Sequence, residues 1–275
     1  MLLRFKMRSL ILIFFLIAAT VGRAAIEWRY AAGLHDMIVP EADNSHTWGV
    51  DFTAVAEETQ PSGIHWLASG EVLLDRDKDD LDPDHIPVWW RVHAGIDGPI
   101  TRFSDGARVL WVGDFDTRVN TVSSIEREIR ALPGVMLDLK AGACSAQLKA
   151  AAGYFFLEID DDVPRERGYD RGDFRHQTFA GSLAADGALE LTADWQLAAH
   201  AQGWWDADGW LETQCRAELD FRPGRWAHGA VIALSAEFTQ YNLDPYAPAN
   251  ATAPYLPILP WDHDWLMKLS YAMRW

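Results

Sequence analysis

The chain has 275 residues and a formal net charge of −16, from 40 acidic and 24 basic side chains. So acidic a balance excludes the basic patches on which nucleic-acid binding depends. Beyond residue 21 no apolar run approaches the ~20 residues of a membrane helix, so a helical membrane protein is excluded as well.

Residues 1–24 read as a secretory signal peptide: a basic start (MLLRFKMRS), an apolar stretch over 10–21, then small Gly22 and Ala24. Residues 25–275 read as one domain, because no Pro/Ser/Gly-rich linker and no internal repeat divides them. Apolar residues then recur at every second position, the period of a strand with one apolar face. Strand one is expected over 26–35 (Ile26, Trp28, Tyr30, Ala32, Leu34) and strand two over 46–57 (Trp48, Val50, Phe52, Ala54, Ala56). After the turn ETQPSG comes strand three, 63–74, with Ile64, Trp66, Ala68, Gly70, Val72 and Leu74. Strand four is expected over 88–97, and DGPITRFSDG reads as the turn returning the chain into strand five, 107–117. Strand six is placed at 135–142, strand seven at 146–157 and strand eight, the least regular, at about 175–184. AADG reads as the turn into strand nine, 188–200. Strand ten (210–221), the turn RPGRW and strand eleven (229–241) complete the series before the last strand.

That last strand is the most informative. In WLMKLSYAMRW, Trp265, Met267, Leu269, Tyr271, Met273 and Trp275 take every second position, and Lys268, Ser270 and Arg274 fall between them. A final strand ending on an aromatic resembles the assembly signal of bacterial outer-membrane barrels. Lys268, Ser270, Met273 and Trp275 match that pattern, with Ser270 in place of its usual Gly. The resemblance is to the class as a whole. It implies an all-β, transmembrane, antiparallel up-and-down β-barrel of 12 strands, with short periplasmic turns and long extracellular loops. It also implies an outer-membrane location after signal-peptide cleavage. Outer-membrane lipid, lipopolysaccharide and, during insertion, the barrel-assembly machinery would be its partners. The 14 Trp fit interfacial aromatic belts.

Between the strands, 75–85 (DRDKDDLDPDH) gathers carboxylates, but it lacks the Gly and terminal Glu of an EF-hand loop and reads as a solvated acidic segment. Asp160, Asp161 and Asp162 read the same way. Residues 123–132 (SSIEREIRAL) fit a short capped helix, from Ser123 and Glu126 to a stop at Pro133-Gly134, which would cap or plug the mouth. The Pro-rich 244–261 loop is expected to stay extended. Cys144 is expected in a turn and Cys215 on the lipid face of a strand, as two separate thiols, although an oxidising periplasm permits a disulfide. No metal-ligand spacing involves either, and neither a metal nor a cofactor is expected.

If the aromatic face meets lipid, the lumen is lined by Glu27, Arg29, His35, Asp51, His65, Glu71, Arg91, His93, Arg108, Asp114, Asp138, Lys140, Lys149, Glu190, Asp194, Glu212, Arg216, Glu218, Glu237, Lys268 and Arg274. Acids and bases are mixed, which suggests internal ion pairs and no strong ion selectivity. Three roles follow: a narrow channel for small polar solutes, a filled barrel acting as a scaffold through its loops, or a lipid-modifying hydrolase. The hydrolase needs a nucleophile, a base and an orienter, for example Ser69, His65 and Asp51. No G-x-S-x-G motif stands out, so catalysis is not the leading expectation.

Overall fold

The computed structural model describes residues 26–40, 46–76, 88–120, 125–159, 175–224, 229–242 and 262–274. In chain order the strands are β1 (Glu27–Ile38), β2 (His46–Thr59), β3 (His65–Asp75), β4 (Val88–Ser104), β5 (Ala107–Asn120), β6 (Ile125–Ala141), β7 (Cys144–Ile159), β8 (Arg175–Glu190), β9 (Trp195–Trp205), β10 (Trp210–Phe221), β11 (Ala230–Tyr241) and β12 (His263–Arg274). Each pairs antiparallel with the next, and β12 returns to β1, closing the barrel. The expected twelve-strand up-and-down architecture is what the chain adopts. Closure leaves no unpaired edge, the condition a sheet must meet where no water can satisfy its amides.

Alternation sorts the side chains onto two faces. Outward, Leu34, Phe52, Leu148, Leu183, Leu234 and Leu269 are all exposed on the barrel wall. Aromatics gather toward the two rims. Trp28, Trp66, Trp111 and Trp195 lie toward the end that carries both termini, called here the terminal end. Trp48, Trp205 and Trp265 lie toward the opposite, loop end. Trp28 stacks on Tyr30 with centroids 6.0 Å apart, and Phe238 packs against Trp265 at 4.7 Å. Two aromatic rims around an apolar wall are the outward signature of a barrel in a bilayer.

The structure corrects several local expectations. Residues 125–132 are not helical; they are the first half of β6, paired on both sides, with Glu128 opposite Arg118 on β5 and Leu157 on β7. A helix this short is marginal in water, and two strand ladders outweigh one capping signal. Ser123 itself lies outside the described residues. Pro133 and Gly134 do not stop the element either. The β6·β7 register is the same on both sides of them, from Ala131↔Tyr154 to Gly134↔Ala151. Gly153 makes room: a Cβ there would strike the Ala131 carbonyl and stand 3.2 Å from Pro133 Cδ.

Two supposed turns are strand. Most of DGPITRFSDG continues β4, with ladder irregularities at Pro99/Thr101 and Arg102/Ser104, and only residues 105–106 turn. A bulge is where a sheet accepts a proline. AADG lies inside β8, where Asp186 pairs with His200 on β9. The chain turns instead at residues 191–194, where Thr192 Oγ1 accepts from the Asp194 and Trp195 amides at 3.2 Å each. Strand nine is therefore β9, Trp195–Trp205, and strand six extends back to Ile125. Cys144 opens β7 rather than lying in a turn; Cys144 and Cys215 are both free. Asp75 is not in a loop but ends β3, buried. Residues 77–85 of the acidic segment, Asp160–Asp162 and the 244–261 loop lie outside the described residues.

Candidate functional site: a cup inside the barrel

The two larger core clusters lie inside the barrel at its loop end, and a smaller one, Leu110, Val112 and Met136, lies nearer the terminal end. Phe155, Leu157 and Ile159 from β7, Ile125 and Leu132 from β6, Trp204 from β9, Leu211 from β10 and Tyr241 from β11 form one buried cluster. Met37, Leu73, Trp89 and Leu266 with Val39 form a second across β1, β3, β4 and β12. These large side chains roof the lumen.

Beneath the roof lie charges. Arg118 binds Glu128 at 2.5 Å and Glu212 at 3.0 Å, and Arg130 binds both Glu128 and, at 2.5 Å, Glu212. This neutral quartet links β5, β6 and β10. Arg130 also lies flat over Trp204, 3.8 Å from the ring centroid, a desolvated cation–π contact of about 2 kcal/mol. On the far wall Lys268 bridges Asp51, at 3.1 Å, and Glu71. Arg91 joins Glu71 to Glu237, at 2.8 Å. Apart from Arg91, which is partly exposed, these side chains are largely withdrawn from water, so each charge depends on its partners.

Below this layer a cavity of about 800 Å³ runs from mid-barrel to the terminal end. Its upper wall is Arg118, Glu128, Arg130, Arg91 and Lys268; its lower wall includes Arg29, Ser145, Ala188, Asp220, Arg222 and Ala272. Acidic and basic lining residues are equal in number, and Gln147, Gln202, Gln214, Ser69 and Ser270 stand among them. Among the described residues, the lumen is thus a cup, open toward the termini and filled toward the loops.

Of the residues expected to line the lumen, Arg29, Glu71, Arg91, His93, Asp114, Lys149, Arg216, Glu218, Glu237 and Lys268 face this cavity. His35, Asp51 and Glu212 are buried in the packed layer above or beside it. His35 Nε2 bonds Asp75 at 2.5 Å and His35 lies edge-on to Trp89. Arg108 pairs with Asp138 at 2.6 Å, and His65 with Asp97 at 2.9 Å, toward the terminal end and outside the cavity lining. Glu27, Lys140 and Glu190 are exposed near the strand ends there, and Asp194 sits in the β8–β9 turn. Arg274 is opposite Arg29 in the backbone register. Ser69, His65 and Asp51 are not assembled: His65 is bonded to Asp97, and Asp51 belongs to Lys268.

Other lining residues escape a sequence reading. Asp116 and Arg118 lie at or past the expected end of strand five, Glu128 and Arg130 inside the supposed helix, and Asp186 inside the supposed turn. His200 and Gln202 lie where strand nine was expected to stop. The signal was present for two of them: over 128–131 charged and apolar residues alternate as Glu128, Ile129, Arg130 and Ala131.

A closed ring of twelve antiparallel strands, apolar without and charged within, decides the class. The fold is that of an outer-membrane β-barrel. Among similar solved structures, a NanC porin, 12% identical with a TM-score of 0.50, aligns over 90% of this chain and 99% of its own. An outer-membrane channel from Pseudomonas putida F1 is 8% identical with a TM-score of 0.49, over 93% and 97%. The outer-membrane phospholipase A of Escherichia coli is 9% identical with a TM-score of 0.46, over 88% and 89%. No protein-family model and no curated protein matches the sequence. At these identities the likeness is one of fold, and an outer-membrane barrel fold carries no particular chemistry with it.

Proposed function

We propose that this chain is an integral protein of the bacterial outer membrane, exported by a signal peptide over residues 1–24 and standing with its terminal end in the periplasm. Its aromatic-rimmed wall meets lipid and lipopolysaccharide, and its final strand is read by the barrel-assembly machinery. Its lumen is a cup that admits small polar solutes from the periplasmic side and does not conduct in this form. The observation that carries the reading is the roof: Trp204, 1% exposed, packs in one buried cluster with Phe155 and Leu211 and against Arg130. The balanced lining gives no preference for one sign of ion.

The test is single-channel recording in a planar bilayer, with folding verified by heat-modifiable gel mobility. The wild type should be silent, and a Trp204→Ala/Leu211→Ala variant should give discrete current steps. Steady steps from the wild type would overturn the closed cup in favour of a narrow channel.

A further inference from the structure

Every histidine among the described residues is bonded to an aspartate: His35, His46, His65, His93, His176, His200 and His263. The pairing is therefore a habit of this barrel and by itself marks no site. His93–Asp116 and His200–Asp186 are the pairs that line the cup. They differ in what stands on the other side of the imidazole. His200 is opposite Arg216 on β10, whereas His93 is opposite Ser69 on β3. Asp116 in turn is opposite His93 on β5. Ser69, His93 and Asp116 thus form a row across three neighbouring strands, at one height, and all three line the cavity.

The imidazole is poised. His93 Nδ1 bonds Asp116 Oδ1 at 2.7 Å, which orients the ring and leaves Nε2 for another partner. The next inward residue on β4 is Gly95, where a Cβ would stand 3.3 Å from His93 Nε2 and 3.6 Å from Asp114 Oδ1. Asp114 Oδ2 holds Lys149 Nζ at 2.6 Å. The missing side chain leaves a notch bordered by a basic nitrogen and backed by an ammonium group. The His93 and Asp116 side chains are 37% and 38% exposed, so a solute in the cup reaches them. Ser69 Oγ and His93 share no hydrogen bond here, but side chains directly opposite across a ladder have Cβ atoms ~4.5–5.5 Å apart. Such contacts commonly tighten when substrate fills the site.

We propose that the cup carries a hydrolytic site for small polar carboxylic esters, with Ser69 as nucleophile and His93 as base. Ser69 Oγ attacks the ester carbonyl carbon as His93 Nε2 takes its proton. Lys149 balances the oxyanion, and the carbonyl re-forms as the alkoxy group leaves with the proton from His93. Water, deprotonated by the same nitrogen, then breaks the acyl–Ser69 bond, releasing the acid and restoring both side chains. Asp116 is a positioning residue. The cup reading enters only through access from the terminal end.

The test uses full-length folded barrel in detergent, a small alkyl fluorophosphonate and intact-mass and peptide mass spectrometry. Ser69 Oγ should displace fluoride and carry the phosphonyl group. Labelling should vanish in Ser69→Ala, slow ~100-fold or more in His93→Gln, and persist in Ser62→Ala, altered in the distant β2–β3 turn. Asp116→Asn should slow labelling and move the pH at which it is half-maximal, which a purely structural change would not do. A folded wild type that stays unlabelled, or a Ser69→Ala protein labelled like wild type, overturns the site. Bilayer current reads the roof and labelling reads the row, so the two proposals fail separately.

Discussion

Ser270 on the last strand sits directly opposite Gly33 on the first, at the seam that closes the barrel. The glycine absent from the terminal pattern of the last strand is found across the ladder from it. A Cβ on Gly33 would stand 2.7 Å from both the Leu269 carbonyl and Ser270 Oγ, and 2.8 Å from Asp51 Oδ2. Gly33→Ala should therefore destabilise the folded barrel by roughly 1–3 kcal/mol. Adding Ser270→Gly should recover part of this loss, since only the side-chain clash is relieved. Urea titration of gel mobility, in lipid vesicles, measures both; an unchanged midpoint for Gly33→Ala would show that the seam gives way.

Lys268 reaches from β12 across β1 to Asp51 on β2 and Glu71 on β3. Lys268→Met removes the cation and leaves buried Asp51 without one beside Glu71, which keeps Arg91, a loss of about 3–5 kcal/mol. Asp51→Asn in the same chain should restore a measurable part. The same urea titration, read as a double-mutant cycle, should give a coupling well above its error; additive losses would mean the three groups act separately.

Truncating the roof should cost stability as well as open it. Trp204→Ala removes a buried ring and the surface on which Arg130 lies, and should cost about 3–5 kcal/mol. Entry of a small dye or solute into liposomes carrying the variant, but not the wild type, would show that the loss lies on the axis of the lumen.

Cys144 is exposed at the terminal end, and Cys215 lies on the outer wall of β10. A membrane-impermeant maleimide should label neither in intact cells. It should label Cys144 alone once the outer membrane is permeabilised. Labelling of Cys144 in intact cells would invert the proposed orientation.

In the β9–β10 turn, outside the strands, Asp206 accepts hydrogen bonds from His176 Nε2 at 3.0 Å and from the Asp208 and Gly209 amides at 2.9 and 3.1 Å. Burial pushes its carboxyl up, but these donors together hold it below the ordinary value of 3.8. Its contribution to stability is complete above that ordinary value. It is lost as pH falls through the lower native one. Carboxyl-carbon NMR should show Asp206 titrating below 3.8, and Asp206→Asn should abolish that part of the acid sensitivity. Titration at or above 3.8 would contradict the geometry.

The strand count, the closure and the outward apolar face were legible because the two sides of the wall impose a period of two along most of each strand. The last strand was the clearest case, with Trp265 to Met273 alternating against Lys268 and Ser270. What escaped were places where a local signal competes with the ladder. Pro133-Gly134 and Asp186-Gly187 look like punctuation, yet neighbours on both sides hold them in strands. The cup was illegible for another reason. Whether Arg130 pairs with Glu212, 82 positions away, or Ser69 stands beside His93 depends on register, which alternation alone leaves open.

The interior pairs also bear on the order of assembly. Lys268 meets a residue 197 positions earlier in the chain, and Arg91 one 146 positions later. The first needs the last strand docked against β1, and the second needs β11 brought across the lumen from β4. Contacts this distant come late, after the loop-closure entropy has been met. Until then Lys268 lacks its carboxylates and Glu237 lacks Arg91, while pairs between neighbouring strands such as Arg91–Glu71 and Arg118–Glu128 can already form. Much of the wall can therefore be paired before the interior is fully neutralised, and ring closure supplies the last counterion, Lys268, to Asp51 and Glu71.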